Sequence, residues 1–191
     1  MNKGEKYEAI LEAAVKVISA NGYRNSHVNR IAKEAGVAGG TVYLYFKNKE
    51  EMLLDVFNRF LVNLIEEIQL EIGRITDPKK KLKRLIEAHL GKVEADFNLA
   101  VVCLVELRLP DPMFQEATGK ALRKYFHMIE QVVEEGQANG SFNPSLNKYL
   151  ARQMIFGTLD EIVTSWVRHR RTGLAGQSRQ VYKMLLNGLT R

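Results

Sequence analysis

Apolar residues recur along this chain every three or four positions, which is the spacing of one face of an α-helix. Ile10, Ala14 and Val17 form the first such stripe, and similar stripes follow over nearly the whole length. Alternation with a period of two, the pattern of a half-buried strand, does not extend over useful lengths. The pattern therefore predicts an all-α protein of about nine helices.

Glycines and polar residues divide the N-terminal part of this pattern into three helices. Gly22 suits the positive φ that follows a helix end, so it ends the first helix. Ser26 or Asn25 is expected to cap the second helix, and Gly36 stops it. A third short helix is predicted from about Gly39 to Tyr45.

The longer helices that follow also have recognisable starts. Asn48, with Glu51 three residues later, predicts a capping box at the start of a helix that ends near Gly73. Asp77 and Pro78 start the next helix as cap and first residue. The remaining predicted helices cover about 97–109, 113–139, 145–169 and 178–189.

The second and third helices have the features of a helix-turn-helix. Gly36 permits a tight turn, and a small core locks the pair at a steep angle, as in proteins that place one helix in the major groove of DNA. The presented segment carries Thr41, Tyr43 and Tyr45 at helical spacing, and their hydroxyls can bond phosphates or base edges. A helical hairpin whose tyrosines only pack is the alternative. The core residues are Ile31, Ala35, Val37 and Val42.

Composition and charge support an anionic partner for this segment. The chain has 191 residues, 46% of them hydrophobic, which suffices for one or two domains with a core. Its 28 basic and 22 acidic side chains give a net charge of +6. Five basic residues and one acidic residue lie between Arg24 and Lys49. Such a surface suits DNA, although a charge run taken alone is also typical of a solvated face.

Catalysis and metal binding find no support in the sequence. There is one cysteine, Cys103, which excludes an internal disulfide framework and is expected to be a buried apolar residue. The four histidines are scattered, and neither a zinc-ligand spacing nor a phosphate-binding glycine loop is present. We predict a protein that is not an enzyme and has no metal and no cofactor. The absence of an apolar block of secretory or membrane-spanning length predicts a cytoplasmic location.

Three strings in order, residues 31–37, 40–46 and 48–53, resemble the DNA-binding domain of the TetR family of transcriptional regulators. The resemblance implies DNA contacts by Thr41, Tyr43, Tyr45 and Lys49. It also implies a helix-turn-helix DNA-binding domain at 1–47 and an effector-binding and dimerisation domain at 48–191. The DNA-binding residues predicted are Ser26, Asn29, Arg30, Gly39, Gly40, Thr41, Tyr43, Tyr45, Lys47 and Lys49.

This chain departs from the family pattern at two places. Where the family usually has Ser-Lys before Gly-Thr, it has Ala38 and Gly39, so that a helix cap and a phosphate-contacting lysine are missing. His27 stands where a capping threonine is common. Both departures affect the operator expected rather than the family.

Apolar stripes in the last two helices predict a homodimer. They suit a four-helix seam with a second copy, and an intramolecular contact is the alternative. Two recognition helices one DNA turn apart would then read a two-fold related operator. The stripe residues are Leu150, Met154, Gly157, Val163, Val167, Val181, Tyr182, Leu185, Leu186 and Leu189.

The central strings 102–108 and 151–161, with Trp166, are similar to a branch of the family that represses fatty-acid degradation and responds to long-chain acyl-CoA. The resemblance implies an apolar tunnel with cations at its mouth, where arginine suits phosphate geometry. A repressor that answers to another hydrophobic molecule, such as a drug, is the alternative; a lipid carrier would leave the helix-turn-helix unexplained. The ligand-binding residues predicted are Leu64, Ile68, Leu85, His89, Val93, Val101, Val105, Arg108, Arg123, Lys124, Met128, Ile129, Val132, Arg152, Phe156, Asp160 and Trp166.

Overall fold

The computed structural model of the chain describes residues 2–104, 112–169 and 173–190. Within these ranges it has nine α-helices and no strand, which confirms the all-α prediction. The helices are α1 Lys3–Asn21, α2 Val28–Glu34, α3 Gly39–Val42, α4 Lys49–Ile72, α5 Pro78–Ala95, α6 Phe97–Leu104, α7 Pro112–Ala138, α8 Lys148–His169 and α9 Ser178–Leu189.

The chain divides into two compact units. The first unit comprises Met1–Phe60 with Phe97–Thr118, and the second comprises Leu61–Asp96 with Gly119–Arg191. Helix α4 therefore contributes its first half to one unit and its second half to the other. The functional boundary at 47/48 stays a prediction.

In the first unit, α1 packs on α2 and α6, and α2 packs on α3. The side chains of Ile10, Ile18, Ile31 and Val42 are almost completely buried there. The predicted turn is confirmed, since Gly36 has a φ of 67°. The first helix begins at Lys3 because Asn2 and Glu5 form a capping box that the apolar stripe did not reveal.

Two details of the second and third helices differ from the prediction. His27 occupies the cap position of α2 and makes no side-chain cap bond, so capping by Ser26 or Asn25 is wrong. The Ser26 hydroxyl instead donates to the carbonyls of Val17 and Gly22, at 3.2 and 2.8 Å, and holds the end of α1. Helix α3 ends at Val42 rather than at Tyr45, because the chain continues as a tighter turn.

The predicted start of α4 is confirmed in part. The Asn48 side chain accepts from the Glu51 N–H at 2.8 Å, but the Glu51 carboxylate accepts from the Lys47 N–H at 2.6 Å rather than from Asn48. The start of α5 is as predicted, with Asp77 capping Lys79 at 2.9 Å. Helix α8 begins three residues later than predicted because the Asn147 side chain caps it.

The second unit is organised around α5, which packs on both α8 and α9. The buried core of this unit includes Leu82, Leu85, Ile86 and Leu159. The Glu94 carboxylate accepts from the N–H groups of residues 174 and 175, at 2.8 and 2.9 Å, and so ties α5 to the turn before α9. No described helix is long and apolar enough to cross a membrane.

Candidate nucleic-acid interface and effector site

The turn between α2 and α3, with the burial of Val42 and Phe46, determines which side chains around Tyr43 are exposed on the first unit. The Val37 N–H donates to the Ala32 carbonyl at 3.0 Å, which closes the turn after Gly36. Burial of Val42 and Phe46 then fixes the orientation of the segment between them. Tyr43 is 57% exposed as a consequence, so its ring and hydroxyl face the solvent.

A cavity of about 320 Å³ lies beside Tyr43. It is lined by four of the predicted DNA-binding residues, Ser26, Asn29, Tyr43 and Lys49. Arg30, Gly40 and Lys47 are exposed, whereas Thr41 and Gly39 are partly buried. A Cβ on Gly39 would stand 2.9 Å from the Asn29 side-chain oxygen, so a larger residue here would push that side chain aside.

Three of the predicted DNA-binding side chains are engaged inside the first unit. The Tyr45 hydroxyl donates to the Lys3 carbonyl at 3.1 Å. The Lys49 ammonium lies 3.9 Å from the centre of the Tyr23 ring and donates to the Tyr23 carbonyl. The Ser26 side chain is fully buried, so we leave it out of the proposed interface.

Leu44 is a surface residue that the sequence analysis did not consider. It is 82% exposed, directly after Tyr43. Its position between buried Val42 and buried Phe46 places it on the opposite side of this turn, and that spacing is a signal the sequence already contains. An exposed leucine beside Tyr43 offers an apolar contact for a thymine methyl group.

Apart from Arg123 and Lys124, the predicted ligand-binding residues of the second unit fall into two groups, one partly exposed and one buried. Phe156, Asp160 and Arg152 are partly exposed. Val101 lies on α6 in the first unit, so we do not place it with the others, and Val105 and Arg108 lie outside the described residues. The buried group comprises Leu64, Ile68, Leu85, His89, Val93, Met128, Ile129, Val132 and Trp166.

The predicted cations of the second unit differ in their surroundings. Arg123 and Lys124 are exposed on α7, and Lys124 lines a cavity of about 300 Å³ between α4 and α7. Arg152 is held by an ion pair to Glu130 at 3.0 Å, with its guanidinium 4.7 Å from the centre of the Phe126 ring. Arg152 therefore has a structural partner already, whereas the two α7 cations extend into solvent.

A buried polar pair, His89 and Tyr125, joins α5 to α7 inside the second unit. The His89 Nδ1 and the Tyr125 hydroxyl are 2.7 Å apart. Burial lowers the pKa of His89 to about 4 and raises the pKa of Tyr125, so both groups are neutral at pH 7. The His89 Nε2 is buried and has no hydrogen-bond partner among the described residues.

Among the described residues, no three or more histidine, cysteine or acidic side chains lie together in a way that could hold a metal ion. Cys103 is buried, as expected.

Two family descriptions match the chain. "Bacterial regulatory proteins, tetR family" matches residues 10–56, and "YsiA-like protein, C-terminal region" matches residues 57–188. Together they cover both the helix-turn-helix and the helices that follow it. The relatives with curated names are transcriptional regulators rather than enzymes.

Similarity to individual proteins extends over nearly the whole chain. It is 40% identical to the Fatty acid metabolism regulator protein of Bacillus subtilis, over 98% of this chain and 97% of the relative. It is 30% identical to the HTH-type transcriptional repressor KstR2 of Mycolicibacterium smegmatis, over 96% of this chain and 90% of the relative.

Solved structures are similar over the same length. A crystal structure of the transcriptional regulator FadR from Bacillus subtilis in complex with stearoyl-CoA has a TM-score of 0.92 and 40% identity, covering 96% of this chain and 99% of that chain. The fatty acid degradation regulator FadR from Bacillus halodurans has a TM-score of 0.90 at the same identity and the same coverage.

Proposed function

The chain belongs to the TetR family of DNA-binding transcriptional regulators, and on that premise we propose that it represses genes of fatty-acid degradation until a long-chain acyl-CoA releases it from DNA. The observation that carries this proposal is 40% identity, over nearly the full length, to a regulator whose structure contains stearoyl-CoA. The proposal places the protein in the cytoplasm, where both DNA and acyl-CoA are present.

In this proposal the first unit reads DNA through the surface around α3. Tyr43 and Thr41 contact base edges or phosphates, and Arg30 and Lys47 add positive charge at the edge of the surface. Tyr45 and Lys49 act mainly by holding this surface in place, because their polar ends already have partners in the first unit.

We also propose a homodimer that reads a two-fold related operator. Part of the predicted seam is excluded, because Val163, Val167, Val181, Leu185 and Leu189 are buried within one chain. The predicted seam residues still open to a second copy are Leu150 and Gly157, which are exposed, and Met154, Tyr182 and Leu186, which are partly exposed. Tyr149 and Met184 are also exposed on α8 and α9. Such a contact would be isologous, with the same patch on both copies.

A pair of leucine substitutions tests the dimer. Leu150→Glu buries a charge in the proposed seam and is expected to convert the dimer to monomers in light scattering at micromolar concentration. Leu70→Glu is the matched control, since Leu70 is also largely exposed, at 78% against 64% for Leu150, but lies on α4. A dimer that survives Leu150→Glu would contradict this seam.

The effector part of the proposal is tested by titrating ligands against the protein on DNA. An operator is first selected from random duplexes, and release is followed by fluorescence anisotropy. Palmitoyl-CoA is expected to release the DNA at lower concentration than free palmitate, because cations such as Arg123 and Lys124 have phosphates to bind only in the CoA ester.

The acyl tail is expected to give a steep dependence on its length. At ~0.8 kcal/mol per buried methylene, four fewer carbons cost ~3 kcal/mol, so lauroyl-CoA should bind about 100-fold more weakly than palmitoyl-CoA. A ligand releases DNA only through its different affinities for the two states. Equal potency of thioester, free acid and an unrelated hydrophobic drug would contradict an acyl-CoA effector and favour a general response to hydrophobic molecules.

A further inference from the structure

The His89–Tyr125 pair is a polar group in otherwise apolar surroundings. His89 is 6% exposed on α5, and its neighbours along that helix, Leu85, Ile86 and Val93, are buried. The Tyr125 ring also contacts Phe156 of α8, edge to face at 6.1 Å. Three helices of the second unit therefore enclose the pair.

The two side chains have two polar hydrogens between them, but the hydrogen bond that joins them uses only one. Both groups are neutral at pH 7, so the imidazole carries one proton and the phenol carries one. If the Tyr125 O–H donates to Nδ1, the imidazole proton lies on Nε2. The phenol oxygen then accepts no hydrogen bond in this pair, which costs little. The opposite tautomer, with the proton on Nδ1, would leave two groups without a partner among the described residues: the phenol hydrogen and the buried Nε2 lone pair.

The favoured arrangement is therefore a chain of donors, in which Tyr125 O–H donates to Nδ1 and Nε2–H remains. This Nε2–H is buried and has no acceptor among the described residues. A buried donor without an acceptor is costly, and such groups in folded proteins usually mark a missing partner. The partner required is neutral or negative, accepts a hydrogen bond, and reaches the apolar interior.

We propose that the Nε2–H of His89 donates a hydrogen bond to the carbonyl oxygen of the bound acyl thioester. This inference rests on the proposed effector class. In an acyl-CoA the thioester carbonyl is the first hydrogen-bond acceptor after the aliphatic tail, so it is the polar atom that enters deepest with the tail. Tyr125 acts as a positioning residue, because its hydroxyl fixes the tautomer that leaves Nε2–H available.

The test compares two ligands that differ only at the carbonyl. Palmitoyl-CoA has the thioester carbonyl, whereas S-hexadecyl-CoA has a CH₂ group in its place and the same chain length. Calorimetric titration of the wild-type protein is expected to give about 10-fold tighter binding of palmitoyl-CoA, the size of one net hydrogen bond. His89→Phe should reduce this ratio to about one.

Two further variants separate recognition from packing. His89→Gln retains an N–H donor at a similar reach and should keep part of the preference. Tyr125→Phe no longer fixes the tautomer, so its ratio should lie between those of wild type and His89→Phe. Thermal unfolding of each variant establishes that the protein used in the titration is folded.

A spectroscopic measurement on the wild-type protein does not depend on any variant. With ¹⁵N-labelled histidine, the Nε2–H resonance of His89 is expected to shift downfield with palmitoyl-CoA and to stay in place with S-hexadecyl-CoA. His27 and His169, which are exposed and do not line the cavity beside Lys124, serve as internal references.

The outcomes distinguish this inference from the proposed function. Equal affinities for the two ligands, with no resonance shift, would overturn the role of His89 and leave the acyl-CoA effector intact. Failure of the wild-type protein to bind either ligand would overturn the effector class itself, and with it this inference.

Discussion

The two units place the groups that we propose for recognition in opposite ways. In the first unit Tyr43 and Leu44 lie on the surface, and a turn between buried Val42 and Phe46 sets their direction. In the second unit His89 and Tyr125 lie inside, enclosed by helices that are far apart in sequence. One unit presents its chemistry to a large rigid partner, and the other encloses chemistry suited to a small one.

This difference determines what each site tolerates. A surface contact to DNA is made by whichever side chains the turn exposes, so a substitution there changes binding with little effect on folding. A buried polar pair contributes to the stability of the unit that contains it, so a substitution there changes both.

The largest effect is expected from Tyr43→Ala. Each lost base or phosphate contact costs ~1–3 kcal/mol, and a dimer has two copies, so operator affinity should fall by about 30-fold or more. The measurement is fluorescence anisotropy with a labelled operator duplex at fixed salt. Affinity for palmitoyl-CoA and the free energy of unfolding should stay close to wild type.

Tyr45→Phe is the matched control for this prediction. It removes a hydroxyl whose hydrogen is already donated to the Lys3 carbonyl, so it should weaken packing at the start of α1 by ~1 kcal/mol and change operator affinity only slightly. If Tyr45→Phe weakened DNA binding as much as Tyr43→Ala does, the division between presented and structural tyrosines would be wrong.

Sequence reasoning works best where the determinants are local. The turn at Gly36, the cap at Asn48 and the start at Asp77 each depend on a few neighbouring residues, and each was predicted. The capping box at Asn2 is equally local, but it lies before the first apolar stripe and was missed.

Non-local arrangements could not be predicted from the spacing of residues. The stripe of α9 was assigned to a dimer seam, but the structure uses Val181 and Leu185 against its own α5 and α8, because a stripe does not reveal which surface covers it. The pairing of His89 with Tyr125 joins residues 36 positions apart. The ion pair that engages Arg152 likewise depends on a neighbouring helix.

An intermediate effect, on the free energy of unfolding, is expected when the pH is lowered. Burial lowers the pKa of His89 from 6.5 in the unfolded chain to about 4 in the folded unit, so between these values the unfolded chain binds a proton that the folded chain does not. The contribution of neutral His89 to the free energy of unfolding is therefore fully present above about pH 7 and is lost as the pH drops. The loss from this residue is ~2 kcal/mol at pH 5. Urea unfolding at pH 8 and pH 5 measures the loss.

His89→Phe isolates this contribution, because other groups also titrate in the same range. The variant should lose ~2 kcal/mol less than wild type between pH 8 and pH 5, whatever its absolute stability. Between pH 7 and pH 8 the two proteins should show the same dependence. Parallel curves down to pH 5 would mean that His89 is charged inside the folded unit.

The smallest effect on stability is expected from adding a side-chain cap to the start of α3, which has none. Ala38 occupies the cap position of α3 in an extended conformation and makes no side-chain bond. Ala38→Ser supplies a hydroxyl for the N–H of Gly40, because the Thr41 N–H already donates to the Ala38 carbonyl at 2.9 Å. It should stabilise the first unit by ~1 kcal/mol.

The isosteric pair Ala38→Thr and Ala38→Val separates the cap from the added bulk, because only threonine carries the hydroxyl. The threonine variant should unfold at higher urea concentration than the valine variant, and hydrogen exchange at the Gly40 amide should slow in the serine and threonine variants alone. Helix α3 is a single turn and has no other side-chain cap. If exchange at Gly40 slows while the free energy of global unfolding does not rise, this turn opens independently of the rest of its unit. Equal exchange in the threonine and valine variants would instead show that the hydroxyl does not reach the helix start, and that the packing of Val42 and Phe46 alone holds Tyr43 towards the solvent.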